Sequence, residues 1–265
     1  MTTPTFTKEK DCAIVAAQAA GLIIRAFYST PYTVDYKGRG QDNPVTIADR
    51  DANQKIHGIL QGEFPQYGWL SEETVDSPAR LSCPRVWLVD PLDGTKEFID
   101  KIPEFGVSIA LIEHGQPVVG VVYNPIQDQL FWAIRGQGTW YQERRLHVTQ
   151  TEELSAATIL ASRSETKRGE WQKFSSQFST RPTGSAAYKL ALIARGDADA
   201  TFTLTPKNEW DICAGALLVE EAGGQVSHLD GRPVTYNQPQ TLLQGLVASN
   251  HLLHPHLLQL IAKRH

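Results

Sequence analysis

Residues 85–95 constrain this chain more than any other segment, because an apolar run ends there in a turn with acidic side chains. The segment reads Arg-Val-Trp-Leu-Val-Asp-Pro-Leu-Asp-Gly-Thr. The apolar run predicts a buried strand, and Asp90 and Asp93 lie across a turn in which Pro91 fixes one backbone angle. Carboxylate oxygens are ligands that Mg²⁺ prefers, and backbone amides exposed at a turn suit phosphate. The turn therefore indicates metal-assisted chemistry on a phosphate group.

The composition of the 265-residue chain argues against several classes of protein. A net charge of −4 provides no bulk attraction to nucleic acid or to a membrane surface. Three widely separated cysteines predict neither a disulfide framework nor a zinc site, and Cys213 is predicted to be a small buried thiol. The N-terminus shows no apolar signal segment, and no stretch approaches the roughly 18 apolar residues of a membrane span. We therefore expect a cytoplasmic protein without an integral membrane segment, with peripheral membrane association left open.

The first half of the chain combines helical spacing with a series of strand-like runs. Two amphipathic helices are predicted at residues 8–28 and 46–61, with Thr46 as the N-cap of the second. A polar, glycine-bearing loop at residues 37–44 lies between them. Hairpin signals then predict a largely antiparallel meander. Besides the run that ends at Asp90, its strands are predicted at residues 67–70, 105–113, 117–123 and 129–134, with an edge segment that ends near Tyr141.

From about residue 150 the pattern alternates between strands and helices, which predicts a second layer with a mixed or parallel sheet. The strands are predicted at residues 158–161, 177–181, 200–204 and 242–248. The helices are predicted at residues 167–176, 185–195, 211–222 and 251–263. Neither repeats nor a low-complexity linker separate the two halves. We therefore expect the N-terminal α+β half, residues 1–145, and the C-terminal α/β half, residues 146–265, to share one fused core.

Carboxylates recur at points where strands end or helices begin. Glu72 and Glu73 follow a short strand, and Asp211 opens a helix directly after Trp210. Loops at one edge of a sheet meet in space, so these acids and those of the turn are able to converge. Alternatively, Asp-Pro and Asp-Gly are ordinary turn residues and Asp211 is only a helix cap. The spacing alone leaves both interpretations open.

Three motifs in order carry a family resemblance. Residues 90–95 (Asp-Pro-Leu-Asp-Gly-Thr), with 72–73 (Glu-Glu) before them and 210–215 (Trp-Asp-Ile-Cys-Ala-Gly) after them, resemble the signature set of the inositol monophosphatase superfamily. These proteins are lithium-sensitive, Mg²⁺-dependent phosphomonoesterases, and the match covers nearly the whole chain. The resemblance implies a mixed α/β (α+β) fold, a layered αβαβα sandwich of the sugar-phosphatase type.

The resemblance also implies a set of metal ligands. Glu72, Asp90 and the backbone carbonyl of Leu92 look like ligands of one Mg²⁺. Asp90, Asp93 and Asp211 look like ligands of a second Mg²⁺, with Asp90 bridging the two ions. A weaker third ion would lie near Glu72. Mn²⁺ would be able to substitute for Mg²⁺, and Li⁺ and Ca²⁺ are expected to inhibit.

Catalytic roles follow from the same resemblance. Asp49, on the second helix, is similar to the family acid that pairs with the threonine of the turn, here Thr95. Together they would orient and deprotonate the attacking water, with Glu73 in a supporting position. Gly94 has no side chain to block the phosphate, and the Gly94 and Thr95 amides would donate to its oxygens. Residues 214–215 (Ala-Gly) are expected to let their helix approach the sheet closely.

The residues that follow the turn bear on the substrate. Lys96-Glu97-Phe98 resembles the 3′(2′),5′-bisphosphate nucleotidase branch, the CysQ-like enzymes that hydrolyse adenosine 3′,5′-bisphosphate to AMP. Inositol phosphatases commonly continue Thr-Asn-Phe instead. Residues 184–189 and 207–211 also look more like the nucleotidase branch. The substrate contacts that the resemblance implies are Gly94, Thr95, Gly184, Ser185, Lys189 and Asp211, and the further cations available for a second phosphate are Arg163, Lys167 and Arg168.

Two alternatives stay open beside the nucleotidase. Ala186, Ala187 and Tyr188 differ from the bacterial nucleotidase pattern, so inositol-1-monophosphatase remains a candidate activity. The other alternative is a catalytically silent regulator that binds a phosphometabolite, although such a module has no reason to keep every metal carboxylate. By resemblance the nucleotidase would act in sulfur assimilation on a small phosphate ester, without a nucleic-acid polymer as partner. Family members are often dimeric, which makes a homodimer an expectation as well.

Overall fold

A computed structural model describes residues 5–31, 34–36 and 44–263 of the chain, so residues 37–43 of the predicted polar loop lie outside the described residues. The long helices predicted from the sequence are confirmed, with their ends shifted by a few residues. Within the described residues the helices are α1 (Thr7–Tyr28), α2 (Ile47–Glu63), α3 (Thr95–Ile99), α4 (Arg163–Lys167), α5 (Ala186–Arg195), α6 (Glu209–Glu221) and α7 (His254–Ala262).

Helix α1 packs through a stripe of small side chains. Ala13, Ala16, Ala17 and Ala20 are fully buried and allow α1 to contact α2 and a large sheet. By length and composition alone, α1 is long and apolar enough to cross a membrane. This differs from the expectation that no stretch of the chain approaches a membrane span. The core helix of a globular protein passes the same test, and the buried stripe of α1 is what such a helix needs.

The predicted meander is a seven-stranded sheet. Neighbouring strands follow the chain order, and all pairs are antiparallel except the first two strands, which are parallel. The parallel pair brings the ends of these two strands to the same edge of the sheet. The strands are β3 (Gly68–Ser71), β4 (Arg85–Asp93), β5 (Gly106–Glu113), β6 (Gln116–Asn124), β7 (Gln129–Ile134), β8 (Thr139–Tyr141) and β9 (Arg144–Arg145), preceded by a separate pair, β1 (Val34–Tyr36) and β2 (Pro44–Thr46).

The predicted second layer is a five-stranded mixed sheet, which confirms that part of the sequence analysis. The strands in this part of the chain are β10 (Thr158–Ser162), β11 (Ser179–Thr183), β12 (Ala200–Thr203), β13 (Lys207–Asn208), β14 (Gly224–Ser227), β15 (Leu242–Leu243) and β16 (Leu246–Asn250). The spatial order of the five-stranded sheet is β11-β10-β12-β16-β14, with β10 parallel to both neighbours and the other pairs antiparallel. Strands β13 and β15 form a separate antiparallel pair.

The helix predicted at residues 167–176 is wrong. Helix α4 has already ended at Lys167, and the rest of the segment contains only a 3₁₀ turn, Gln172–Phe174. Gly169 adopts φ 78°, a left-handed conformation that ends a helix. Trp171 and Phe174, which lie in this segment, pack against Phe202 of the second sheet.

The single strand predicted at residues 242–248 is also wrong. Leu242–Leu243 and Leu246–Asn250 are two strands that belong to different sheets. Gly245 separates them at φ 143°, a backbone angle that favours glycine. The sequence shows one hydrophobic run here, and nothing in that run indicates that the chain passes from one sheet to another at its middle.

The layers stack as an αβαβα sandwich, as the resemblance implied. Helices α1 and α2 cover one face of the large sheet, α5 and α6 lie between the two sheets, and α7 packs on the second sheet. Close approach depends on small residues here. A Cβ on Gly120 of β6 would lie 2.7 Å from the carbonyl oxygen of Ala214, and one on Gly215 would lie 2.5 Å from Cβ of Leu190. Ala214 therefore packs on the sheet as expected, whereas Gly215 faces α5.

One hydrophobic cluster contains residues from both halves of the chain. Val86 and Leu88 of β4 belong to it together with Leu190 of α5 and Leu217 of α6. The helices between the sheets therefore make apolar contacts with the large sheet on one side and with the second sheet on the other. The division at residues 145/146 stays a prediction, and it would pass through this shared core.

The buried side chain of His254 leads to a prediction about how the stability of the fold depends on pH. Its ring nitrogens lie 2.9 Å from Ser227 Oγ and 2.8 Å from Ser249 Oγ, and burial lowers its pKa to about 4. In the unfolded chain its pKa is about 6.5, so only the unfolded state takes up the proton between those values. We expect stability to be fully present above pH 6.5 and to fall as the pH decreases towards 4.

Urea denaturation at pH 7 and pH 5 tests this expectation. His254→Gln should lower the midpoint at pH 7 and show a smaller loss between the two pH values than the unchanged protein. His256→Gln, at an exposed position on the same helix, should leave the pH dependence as it is. An equal pH dependence in all three proteins would contradict the assignment.

Candidate active site

The acidic turn is built by the end of β4. The register between β4 and β5 shifts between Asp90 and Asp93, so the strand departs from regular pairing where its carboxylates are. Asp90 is 2% exposed, and its Oδ1 accepts a hydrogen bond from the Leu92 N–H at 2.9 Å. Gly94 follows at φ 100°, which favours glycine, and α3 begins at the next residue.

Three carboxylates from separate elements converge at this turn. One ligand oxygen from each of Glu72, Asp90 and Asp211 lies within 4.8 Å of the others. Glu72 follows β3, and its N–H donates to the Val89 carbonyl of β4 at 3.2 Å. Asp211 lies in the first turn of α6, where its Oδ2 accepts from the Asn208 N–H at 3.1 Å. The parallel β3–β4 pair and the start of α6 thus bring the acids together.

The electrostatics of this group favour a bound cation. Burial raises the pKa of Asp90, and the neighbouring Glu72, Asp93 and Asp211 raise it further. Burial and Asp93 likewise raise the pKa of Asp211. Ionised carboxylates this close repel one another, and a divalent cation bound between them would remove the repulsion. Hard oxygen ligands of this kind fit Mg²⁺.

Asp93 is held apart from the three-carboxylate group. Its Oδ2 accepts from Ser185 Oγ at 2.5 Å and from the Ala187 N–H at 2.6 Å, at the beginning of α5. Asp93 still lines the same cavity and raises the pKa of both Asp90 and Asp211. Leu92 lines the cavity too, and its carbonyl oxygen lies 3.2 Å from Thr95 Oγ.

Asp49 and Thr95 form a direct contact. The Thr95 hydroxyl donates to Asp49 Oδ1 at 3.0 Å. The other oxygen of Asp49 accepts from the N–H and the hydroxyl of Thr46 at 2.7 and 2.6 Å, which completes a capping box at the start of α2. Burial raises the pKa of Asp49 to about 6, although the hydrogen bonds from Thr46 oppose this. The charge of Glu73 also raises the pKa of Asp49. Glu73 belongs to neither the group of three carboxylates nor the cavity lining.

A cavity of about 310 Å³ connects these residues. All the residues predicted to contact substrate line it: Gly94, Thr95, Gly184, Ser185, Lys189 and Asp211. Lys189 is 8% exposed, and burial lowers its pKa to about 8, as does the neighbouring Lys207, while Asp93, Glu165 and Glu97 oppose the shift. The cavity therefore contains carboxylates and cationic side chains side by side.

The cations proposed for a second phosphate divide into two groups. Arg168 lines the cavity, whereas Arg163 donates from Nε to Glu104 Oε2 at 2.6 Å and does not line it. Lys167 is likewise outside the lining. Lys207 was not predicted as a site residue, although it is the first residue of the motif at residues 207–211. Its positive charge within that motif was the signal that could have identified it.

Glu97 and Glu165 were also missed. Both are buried acids that line the cavity and face Lys189. Glu165 is held by Trp171 Nε1 at 3.1 Å and by the hydroxyl of Thr203 at 2.5 Å. Glu97 lies in the Lys-Glu-Phe segment, whose resemblance to the nucleotidase branch assigns no role to the acid itself. Its burial depends on packing against residue 184, which local sequence does not reveal.

Comparison with known proteins agrees with this geometry. The profile of the inositol monophosphatase family matches residues 7–265. The chain is 36% identical over 258 residues to an inositol-1-monophosphatase of Mesorhizobium japonicum, with 94% of each chain covered. It is 35% identical over 233 residues to the 3′(2′),5′-bisphosphate nucleotidase CysQ of Shigella flexneri, covering 86% of this chain and 93% of that protein.

A solved structure gives the same result for the fold. The extragenic suppressor protein suhB of Bartonella henselae superimposes with a TM-score of 0.85 at 31% identity, over 97% of this chain and 99% of that one. The chain belongs to the inositol monophosphatase family, whose members are in general Mg²⁺-dependent phosphatases. Relatives with different activities are equally similar to it, so family membership leaves the substrate open.

The converging carboxylates generate a prediction about metal binding. Without a cation, Asp90→Asn should raise the melting temperature at pH 8, because it removes a buried acid whose ionised form is disfavoured by burial and by the neighbouring acids. A gain of 1 kcal/mol would correspond to about 2–4 °C in a protein near this size. The same variant should lose the increase in melting temperature that Mg²⁺ gives the unchanged protein.

Thermal melts in EDTA and in Mg²⁺ measure both effects. Asp230→Asn, which removes an exposed carboxylate far from the cavity lining, provides the matched control and should respond to Mg²⁺ like the unchanged protein. A destabilised Asp90→Asn protein in EDTA, or one with an undiminished Mg²⁺ response, would refute the cation site.

Proposed function

We propose that this chain is a Mg²⁺-dependent phosphomonoesterase that hydrolyses the 3′(2′)-phosphate of adenosine 3′(2′),5′-bisphosphate, giving AMP and phosphate. The observation that carries the substrate assignment is the pair Lys189 and Lys207 in the cavity that also contains the carboxylate group. A substrate with one phosphate at the metal site needs no second cationic partner, whereas a bisphosphate does. The Lys-Glu-Phe segment after the turn supports the same choice.

Each site residue has a proposed part in metal binding. Glu72, Asp90, Asp93, Asp211 and the Leu92 carbonyl are the proposed Mg²⁺ ligands, and their oxygen chemistry fits that ion. When bound, Mg²⁺ supplies positive charge to the phosphoryl oxygens and makes a nearby water more acidic. The number of ions, replacement by Mn²⁺ and inhibition by Li⁺ and Ca²⁺ remain predictions from the family resemblance.

Asp49 and Thr95 are the proposed catalytic pair. While the Thr95 hydroxyl donates to Asp49 Oδ1, its oxygen is available to accept a hydrogen bond from the attacking water. The water proton would pass to Thr95 as the threonine proton passes to Asp49, which acts as the general base. Gly94 and Thr95 line the cavity, where their amides would bind phosphoryl oxygens. The carboxylates and this pair leave no need for a covalent nucleophile.

Inositol-1-monophosphatase remains the second candidate, because a relative of that name is as similar to this chain as CysQ is. An inositol monophosphate presents neutral hydroxyls to the half of the cavity with the lysines. A silent regulator that only binds a phosphometabolite would have no need to keep every metal carboxylate together with Asp49 and Thr95. The homodimer, the cytoplasmic location and the place in sulfur assimilation also stay predictions.

Comparison of three phosphate esters tests the substrate. We expect the specificity constant for adenosine 3′,5′-bisphosphate to exceed those for inositol 1-phosphate and fructose 1,6-bisphosphate. Lys207→Gln should raise KM for the nucleotide by about tenfold or more, the loss expected for a hydrogen bond to a charged group. The same change should leave KM for inositol 1-phosphate within about threefold, because that ester carries no second phosphate.

Lys167→Gln serves as the control, because Lys167 is an exposed lysine outside the cavity lining. A higher specificity constant for inositol 1-phosphate would transfer the assignment to the second candidate. No Mg²⁺-dependent phosphate release from any of the three esters would favour the silent regulator.

The pH dependence of turnover tests the catalytic pair. Asp49 must be ionised to accept a proton, so kcat should fall as the pH decreases below about 6, the raised pKa of Asp49. Asp49→Asn should lower kcat by about 10²–10⁴-fold. Thr46→Ala should keep the Asp49–Thr95 contact but move the acid limb to higher pH, because the Thr46 hydroxyl lowers the pKa of Asp49.

Initial rates at saturating substrate between pH 5 and pH 9 measure these effects. A Thr46→Ala protein whose acid limb moves to lower pH, or an Asp49→Asn protein with nearly full turnover, would remove Asp49 from the mechanism.

A further inference from the structure

Glu104 joins three segments that surround the cavity. It lies just before β5, and its Oε2 accepts from Arg163 Nε at 2.6 Å and from the Gly184 N–H at 2.8 Å. Arg163 is the first residue of α4, and Gly184 lies between β11 and α5. One carboxylate thus connects a segment of the large sheet to two segments of the second half of the chain.

The backbone of Glu104 is also closely packed against two glycines. A Cβ on Gly184 would lie 2.6 Å from the Glu104 carbonyl oxygen, and one on Gly94 would lie 3.2 Å from the same atom. Gly94 belongs to the acidic turn, and Gly184 precedes the beginning of α5. Displacement of Glu104 would therefore alter the spacing between the two glycine segments that line the cavity.

Ser185, next to Gly184, has a backbone conformation that requires support. Its φ of 56° and ψ of 132° lie in a region that favours glycine, and a serine stays there only where its surroundings fix it. In this conformation the Ser185 hydroxyl donates to Asp93 Oδ2 at 2.5 Å and accepts from the Tyr188 N–H at 2.9 Å. The hydrogen bond from Gly184 to Glu104 immediately precedes this residue in the chain.

Glu104 is in its ionised form in this contact. Burial acts to raise the pKa of Glu104, but the hydrogen bonds from Arg163 and Gly184 outweigh burial and lower it. The group is therefore ionised at neutral pH, and hydrogen bonds to an ionised acceptor are stronger than neutral ones. Arg163, which the sequence offered as a phosphate ligand, is occupied in this pair.

We propose that Glu104 is a positioning residue, which fixes the Gly184–Ser185 backbone so that Ser185 holds Asp93 in the orientation needed to bind Mg²⁺. The proposal rests on the proposed role of Asp93 as a metal ligand. Side chains that orient a metal ligand from behind typically change metal affinity by roughly 10–100-fold when they are removed. Glu104 is two residues removed from the metal in this chain of contacts, so we expect the lower end of that range.

Mg²⁺ titrations without substrate provide the test, with the melting temperature as the signal. Glu104→Ala should need about tenfold more Mg²⁺ than the unchanged protein for half of the maximal increase. Glu104→Gln, which retains one oxygen able to accept both hydrogen bonds, should stay within about threefold. In turnover, Glu104→Ala should raise the Mg²⁺ concentration for half-maximal rate while most of kcat returns at saturating Mg²⁺.

Glu113→Ala is the matched control. Glu113 accepts from Arg85 Nε at 2.9 Å at the other end of β5, and its side chain is 25% exposed compared with 22% for Glu104. It should lose stability without a change in the Mg²⁺ midpoint. If Glu104→Ala does not fold, Arg163→Gln, which removes the guanidinium alone, should still raise the midpoint by a few-fold.

Equal Mg²⁺ midpoints for the Glu104 and Glu113 variants would overturn the proposal, as would a Gln variant as impaired as the Ala variant. A protein that responds to Mg²⁺ but releases no phosphate from any ester would refute the proposed function and leave the Glu104 comparison valid. A protein whose melting temperature does not respond to Mg²⁺ would refute both.

Discussion

The repulsion among buried carboxylates at the end of β4 is the constraint on which the site depends. Asp90 is almost fully buried, and two other acids approach it within 4.8 Å. Such a group raises the free energy of the folded chain unless a cation neutralises it, so the surrounding core must stabilise it in the absence of metal. The parallel β3–β4 pair and the packing of α6 between the two sheets provide that rigid surrounding. A site of this kind is costly to fold and, for the same reason, binds a cation strongly.

The site acids are fixed in place by the beginnings of three helices. Asp49 accepts from the Thr46 N–H before α2, Asp93 from the Ala187 N–H in α5, and Asp211 from the Asn208 N–H before α6. A carboxylate is favourable at a helix N-terminus, where unpaired N–H groups and the helix dipole attract negative charge. In each of these acids, one carboxylate oxygen accepts a backbone hydrogen bond at a helix start and so helps to stabilise the fold. These hydrogen bonds, which hold the three oxygens in place, come from backbone N–H groups and not from positively charged side chains.

Much of this could be predicted from the sequence because it is local. The amphipathic helices, the Thr46 cap and the β4 turn depend on periodicity and on residues a few positions apart. Non-local features escaped. The helix predicted at residues 167–176 is wrong because Gly169 takes a left-handed conformation after α4 and Trp171 packs on Phe202, a partner distant in the chain. Glu104 carries no signal at all in the sequence, because its partners at residues 163 and 184 are about 60 and 80 positions away.

The same distinction explains why the reaction class is better determined than the substrate. The metal and general-base chemistry needs a few oxygen atoms in fixed positions, and helix termini and a turn produce them from short motifs. Under the proposed nucleotidase assignment, substrate choice depends on the balance between Lys189 and Lys207 in the cavity and the acids Glu97 and Glu165 that face Lys189. Lys207 lowers the pKa of the buried Lys189, whereas Glu165 and Glu97 raise it, so a second phosphate would gain most where these acids leave one positive charge uncompensated. The neutral hydroxyls of an inositol monophosphate gain little from that charge, so under the proposed assignment we expect a nucleotidase and an inositol phosphatase on this scaffold to differ at the lysines.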